Sequence, residues 1–201
     1  MIFMSKRLSL FLALLLTNCS IISYSELIPL AKLAIVGAED IIIDDNFIRS
    51  KQFSFAKVKI GRSAIAIFSL VRIDQNGAFE WISGEGEILT TFNGKIIKLE
   101  NSLYNTEFMN FSNFNPSVLT SESKLTYDLF LSNPRAFITQ DAFVEISSEH
   151  KGLKIEETVQ TNGFKWEFKN KYVFNSNNRA IHSIQTIHPK VPTVEIDFYY
   201  K

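Results

Sequence analysis

Three histidines, His150, His182 and His188, and two close carboxylate pairs, Asp44-Asp45 and Glu85-x-Glu87, are the residues of this 201-residue chain whose types and spacing could do metal or acid–base chemistry. A local metal motif needs ligands at fixed short spacing, as in HExxH or paired cysteines, and neither pattern occurs. His182 and His188 fall at the two ends of one expected strand, about 20 Å apart at about 3.3 Å per residue, too far to share an ion. No metal is expected. A glycosidase would need two carboxyls facing each other across about 5 to 10 Å. Adjacent acids on an extended chain point to opposite faces, so Asp44 and Asp45 do not converge, and Gly84 and Gly86 put Glu85 and Glu87 in a loop. With no GxSxG elbow, P-loop or GxGxxG, the sequence predicts no enzyme and no cofactor.

Binding chemistry has more to work with. Trp81, Trp166, Tyr104, Tyr172, Tyr199 and Tyr200 have the amphipathic rings on which sugar CH faces can lie. Trp81 and Trp166 sit on the apolar parity of their strands, which predicts core positions, while the opposite parity of Tyr199 and Tyr200 predicts that one of the two is exposed. Arg62 and Lys98 are the cations best placed to meet an anionic polysaccharide or a partner protein. The expected contact set is Arg62, Trp81, Lys98, Tyr172 and Gln185. Asn110-Phe111-Ser112 spells a glycosylation sequon and is read as coincidence. The 21 basic residues balance the 21 acidic ones. No clustered positive field is therefore available for phosphate backbones, and nucleic acid is not an expected partner.

The one cysteine, Cys19, excludes an internal disulfide and a thiolate cage. Its setting points elsewhere. Lys6 and Arg7 precede the apolar run at 8–16 (LSLFLALLL), too short to span a bilayer, which needs about 20 residues, but suited to a secretory signal. Leu16-Thr17-Asn18-Cys19 resembles the lipobox of bacterial lipoproteins, in which the cysteine is acylated and becomes the mature N-terminus. Asn18 stands where Gly, Ala or Ser is usual. The implied layout is a signal peptide at 1–18, a tether at 19–25 and one domain at 26–201. Two or three acyl chains would fasten the mature chain durably to a membrane. Ser20, in place of an inner-membrane-retaining Asp, implies the periplasmic face of the outer membrane.

The elements that must position these residues are mostly strands. Residues 26–36 place Leu27, Leu30 and Ala34 at helical spacing between Pro29 and Gly37, which predicts a short N-terminal helix. The stretch 63–73 is apolar on both parities, the pattern of a central strand covered on both faces. Asn76-Gly77 predicts a type I′ turn into a strand at 78–82, and Asn93-Gly94 a second hairpin joining 88–92 to 95–99. A small helical insertion is expected at 116–123 and a strand at 127–131. Further strands are expected at 142–146, 153–159, 180–187 and 194–198. The clearest alternation is Phe164, Trp166, Phe168, Tyr172 and Phe174 on one parity, interrupted by Asn170, with Lys165, Glu167, Lys169 and Lys171 on the other. The expected fold is mainly β, an antiparallel meander forming a sandwich or a partly open barrel.

In order and spacing, these residues resemble the YjbF-type, or group 4 capsule polysaccharide, lipoproteins. The first half of the pattern is Gly61-Arg62, Trp81, Gly86, Leu89, Asn93-Gly94-Lys95-Ile96, Lys98 and Leu103; the second is Tyr172, Ser183, Gln185, Pro189 and the strand 194–198, with the lipobox at Cys19. Departures lie in the turns: Gly84-Glu85-Gly86 and Ser176-Asn177-Asn178 stand where the family has Asp-Gly, and Ser102 where it has Gly. All keep turn chemistry. The resemblance implies a mainly β periplasmic lipoprotein that assists exopolysaccharide or capsule assembly or export without catalysis. Its partners would be export proteins or the polysaccharide. The alternative is a carrier or chaperone of lipid, glycan or lipoprotein with an apolar half-barrel pocket.

Overall fold

The fold is seen in a computed structural model that describes residues 41–149, 152–163 and 165–201. Cys19, the tether, the expected helix at 26–36, His150 and Phe164 lie outside the described residues. A six-residue helix, α1 (Asp45–Ser50), comes first. Asp44 caps it by accepting the Phe47 N–H at 2.7 Å, so the first carboxylate pair serves a helix start.

Twelve antiparallel strands follow: β1 (Phe55–Ile60), β2 (Ala66–Ile73), β3 (Phe79–Ser83), β4 (Ile88–Phe92), β5 (Lys95–Glu100), β6 (Thr106–Met109), β7 (Lys124–Ser132), β8 (Arg135–Glu149), β9 (Gly152–Thr161), β10 (Glu167–Phe174), β11 (Ala180–Gln185) and β12 (Val194–Tyr199). Each pairs with its neighbours in sequence, and β12 returns to pair with β1, from Phe55 opposite Tyr199 to Ile60 opposite Val194. The meander was expected. Its closure into a full barrel corrects the sandwich or half-open form, and the reason is that both outer strands find a hydrogen-bonding partner in each other.

Closure also corrects the reading of 63–73. A barrel has no central strand, and β2 is only half-buried, with Val71 and Ile73 more than half exposed. Strands β7, β9, β10 and β12 follow their parity. Leu125, Tyr127, Leu129 and Leu131 of β7, Ile155 and Val159 of β9, Tyr172 and Phe174 of β10, and Val194, Ile196 and Phe198 of β12 are buried. The alternating Glu167, Lys169 and Lys171 face water. On β10 the ring-bearing face points inward and the charged face outward, the reverse of a membrane-spanning strand.

The insertion at 110–123 is built from turns with one 3-10 turn, Phe111–Asn113, where a helix at 116–123 was expected. Asn115 explains this: its side chain accepts the Ser117 N–H at 3.1 Å, and local side-chain bonding of this kind competes with a helix. The first hairpin also differs. Gly77 alone has positive φ, and its N–H bonds to the Asp74 carbonyl at 3.1 Å, so the turn is not type I′. The second hairpin has Asn93 at φ 50° and Gly94 at φ 79°, as a type I′ turn requires.

That second turn bends into the lumen. Strands β5 and β11 are not neighbours around the barrel, yet Ile96 N–H donates to Gln185 Oε1 at 2.8 Å and Gln185 Nε2 donates to the Gly94 carbonyl at 2.8 Å. The loop at 110–123 lies over the same end, where Phe114 is fully buried and its carbonyl accepts from Asn93 Nδ2 at 2.9 Å.

Candidate functional site

Among the described residues, a charged network around Lys95 and Glu157 lies inside the barrel. Lys95, at the start of β5, places Nζ 2.7 Å from Glu157 Oε2 on β9, and both side chains are almost wholly excluded from solvent. Tyr127 OH donates to Glu157 Oε1 at 2.7 Å and Tyr172 OH to Oε2 at 2.9 Å, with Asn170 Nδ2 at 3.4 Å. The ammonium also lies 4.0 Å from the Tyr127 ring centroid and 5.2 Å from that of Phe114. Burial pushes the Glu157 carboxyl up, but Lys95 and the two phenols outweigh it and hold the group below the usual carboxylate range. Burial pulls the Lys95 ammonium down, an effect Glu157 only partly offsets. Both tyrosines are pushed up by burial and by the Glu157 charge, so they remain donors.

Gln185 extends the network. Besides its two bonds to the hairpin tip it donates to Ser183 Oγ at 2.9 Å, and its Oε1 lies 3.5 Å from Tyr172 OH. Of the five residues expected to touch a ligand or partner, Tyr172 and Gln185 are thus brought together, deep inside and out of reach of solvent. Trp81 is equally buried and donates to Thr91 Oγ1 at 2.9 Å. Arg62 is exposed in the β1–β2 connection, and Lys98 lies on the barrel wall paired with Glu100 at 3.0 Å. Trp166 is half-buried on Phe168, and Tyr199 and Tyr200 are both half-buried where one was expected to be exposed.

Lys95 and Glu157 were missed as a pair. Glu157 shares its parity with Ile155 and Val159, so a carboxylate on the apolar face was the available signal; Asn170 on β10 was the matching one.

The histidines are apart. His188 is buried against Tyr104, its Nε2 donating to the Asn133 carbonyl at 3.0 Å while Nδ1 accepts the Lys190 N–H at 3.0 Å, which makes the ring neutral. His182, on the outer wall, has Nδ1 2.7 Å from Asp197 Oδ1, and Lys57 reaches Asp197 Oδ2 at 3.1 Å. Ligand atoms of His182, Glu195 and Asp197 lie within 4.8 Å of one another, but both Asp197 oxygens are already engaged, so the group reads as an ion-pair ladder. The hydrogen bond to Asp197 holds the His182 imidazole above its ordinary 6.5. A raised folded-state value means that stability from this pair is fully present below about pH 6.5 and is lost as pH rises through the folded value. In urea unfolding, wild type is expected to hold its full advantage over His182→Gln below about pH 6.5 and to lose it as pH rises above that value. An advantage that does not change with pH would contradict the assignment.

One end of the barrel carries an open groove of about 640 Å³. It runs between the β1–β2 connection and the β3–β4 connection, with Val58, Ile60 and Phe68 among its lining residues and Glu85 and Glu87 along one side. The loop reading of Gly84-Glu85-Gly86 agrees with this: Ser83 Oγ accepts the N–H groups of Glu85 at 3.3 Å and Glu87 at 3.1 Å.

The described residues thus define a closed, mainly β meander barrel packed inside around a buried ion pair. The family model described as "Group 4 capsule polysaccharide lipoprotein gfcB, YjbF" matches residues 30–198, and the chain belongs to that family. The crystal structure of the hypothetical lipoprotein YmcC from Escherichia coli (K12) superposes with a TM-score of 0.70 at 18% identity, covering 89% of this chain and 96% of that one. At that identity the likeness speaks for the fold alone. No match is found among curated proteins.

Proposed function

We propose that the protein is a non-catalytic lipoprotein of the cell envelope, held at the periplasmic face of the outer membrane through acylated Cys19, where it supports assembly or export of an extracellular polysaccharide by contact. Membership of a capsule polysaccharide lipoprotein family supports the setting. The observation that carries the non-catalytic reading is the burial of Lys95 and Glu157: the ion pair enclosed in the barrel is sealed from any polymer. Contact then falls to the exposed ends and outer wall, where Arg62 and Lys98 reach solvent. Trp81, Tyr172 and Gln185 contribute by fixing the barrel. The carrier reading loses its half-barrel pocket, because the β4–β5 turn crosses the lumen.

Cys19→Ser, expressed in a polysaccharide-producing strain lacking the wild-type gene, tests this. The variant is expected to leave the membrane fraction while remaining folded, with surface polysaccharide reduced, and purified protein is expected to leave the polymer's length unchanged. A variant that stays membrane-bound and active, or a purified protein that shortens the polymer, would overturn the proposal.

A further inference from the structure

We infer that the outer wall across β5 to β8 binds a neutral hexopyranose chain, with sugar CH faces on Phe130 and Phe137 and hydroxyls on Lys98, Glu100 and Glu107. Strand register fixes the row: Lys98 lies opposite Glu107, Glu107 opposite Phe130, and Phe130 opposite Phe137. The adjacent Leu99, Phe108, Leu129 and Ile138 are buried in the barrel, so alternation turns the row outward. At about 4.8 Å per strand the row is about 14 Å long, room for roughly three sugar rings laid across the sheet.

Phe137 is 68% exposed and leans on half-buried Phe130, the ring centroids 5.3 Å apart and the planes tilted by 53°. Together they make a platform in water. Asp128 and Ser132 flank it along β7, and Arg135 and Thr139 along β8, so the apolar surface does not continue as a lipid tail or a protein core would require. A sugar ring, apolar on its CH faces and polar at its edge, matches that pattern. Beside the platform is an open hollow of about 190 Å³, lined by Phe130 with Lys98, Glu100, Asn105, Glu107 and Ser132. Clefts that enclose a drug-sized ligand run from about 300 to 1,000 Å³, so this one suits a single ring of a chain that extends past it.

Charge selects the sugar. Lys98 Nζ lies 3.0 Å from Glu100 Oε1, and this hydrogen bond, helped by the charges of Glu107 and Glu80 and opposed by burial, holds the ammonium above its ordinary range. Arg135, opposite Ser132, is a second cation on this face. Against Glu100 and Glu107 the two cations cancel, so a polyanion gains no net attraction, whereas sugar hydroxyls donate to the carboxylates and accept from the ammonium. Lys98 was expected to meet an anionic polysaccharide, and its carboxylate neighbours redirect it to a neutral one. The inference rests on the polymer-contact reading above and names the place and the sugar class of that contact.

The test titrates the full chain with cellopentaose, maltopentaose and, at equal length, pentagalacturonate, followed by saturation-transfer NMR. Saturable binding of at least one neutral pentasaccharide is expected, with pentagalacturonate about tenfold weaker or more. Phe137→Ala is expected to weaken the neutral sugar about tenfold and Glu107→Gln about threefold. Both variants should melt like wild type, because both side chains are exposed. Phe143→Ala removes an exposed ring on the same face of β8, about 20 Å further along, and should leave the affinity within about twofold. Absence of saturable neutral sugar, binding unaffected by Phe137→Ala, equal weakening by Phe143→Ala, or preference for pentagalacturonate would overturn the site. Self-association that Phe137→Ala abolishes, with no sugar bound, would assign the rings to a second copy and overturn it as well. The envelope-lipoprotein reading is decided separately by Cys19→Ser, so a negative result here leaves that reading standing.

Discussion

Glu157→Ala is expected to destabilise the barrel by about 3 to 5 kcal/mol, because it strips the partner from a buried ammonium and leaves that charge uncompensated. Against a total stability of about 5 to 15 kcal/mol for a domain, such a loss brings the protein close to unfolding at ambient temperature. Removing Glu157 also leaves Tyr127 and Tyr172 hydroxyls without their acceptor, each having pointed at it from 2.7 and 2.9 Å. Urea unfolding at pH 7 measures the effect. Lys95→Met combined with Glu157→Leu is expected to be milder than Glu157→Ala alone, since an apolar pair carries no unpaid desolvation. Because Glu157 titrates below its ordinary 4.5, the pair's contribution is present above that value and disappears as pH falls through the folded one. A Glu157→Ala protein as stable as wild type would mean that the pair is solvated in solution.

Gly94→Ala is the second large effect. Gly94 sits at φ 79°, where an L side chain is strained, and a Cβ there would overlap the Cβ of Ala180 across the lumen. The strain costs about 1 to 2 kcal/mol and the overpacking about 1 to 3 kcal/mol more, so a loss of about 2 to 5 kcal/mol is expected. Ala180→Gly in the same chain removes the overlap and leaves the backbone strain, so the double variant should recover the packing part alone. This cycle, read by thermal or urea unfolding, separates the two terms. Additive single effects would show that the β4–β5 turn does not approach β11.

Much of the barrel was legible because its strands alternate. The parity of 164–174 identified the buried face of β10, and Asn93-Gly94 identified a turn whose dihedrals require those residues. Closure was not legible, since pairing of β1 with β12 joins segments some 140 positions apart, as Lys57 and Asp197 show, and no local pattern encodes it. The interior network was half legible. Asn170 stood out as a polar interruption, and Glu157 would have stood out by the same test had Ile155 and Val159 been aligned with it. Lys95 could not be placed, because the bend of the hairpin tip, set by the Gln185 side chain, turns a residue next to a turn into an interior one. Neither the groove nor the His182–Asp197 pair had a signature, as both are assembled from different strands.

Eleven of the twelve pairings join strands consecutive in the chain and form by short searches. The last must bring the two ends of the domain together. Ring closure of a long loop carries the largest entropic cost of the set, though it grows only slowly with length. The stacked Phe55 and Tyr199 rings, 4.7 Å apart, and the Lys57–Asp197 bridge lie on this β1–β12 seam. The seam's six paired positions, against two between β5 and β6, give this closure a long ladder to offset that cost.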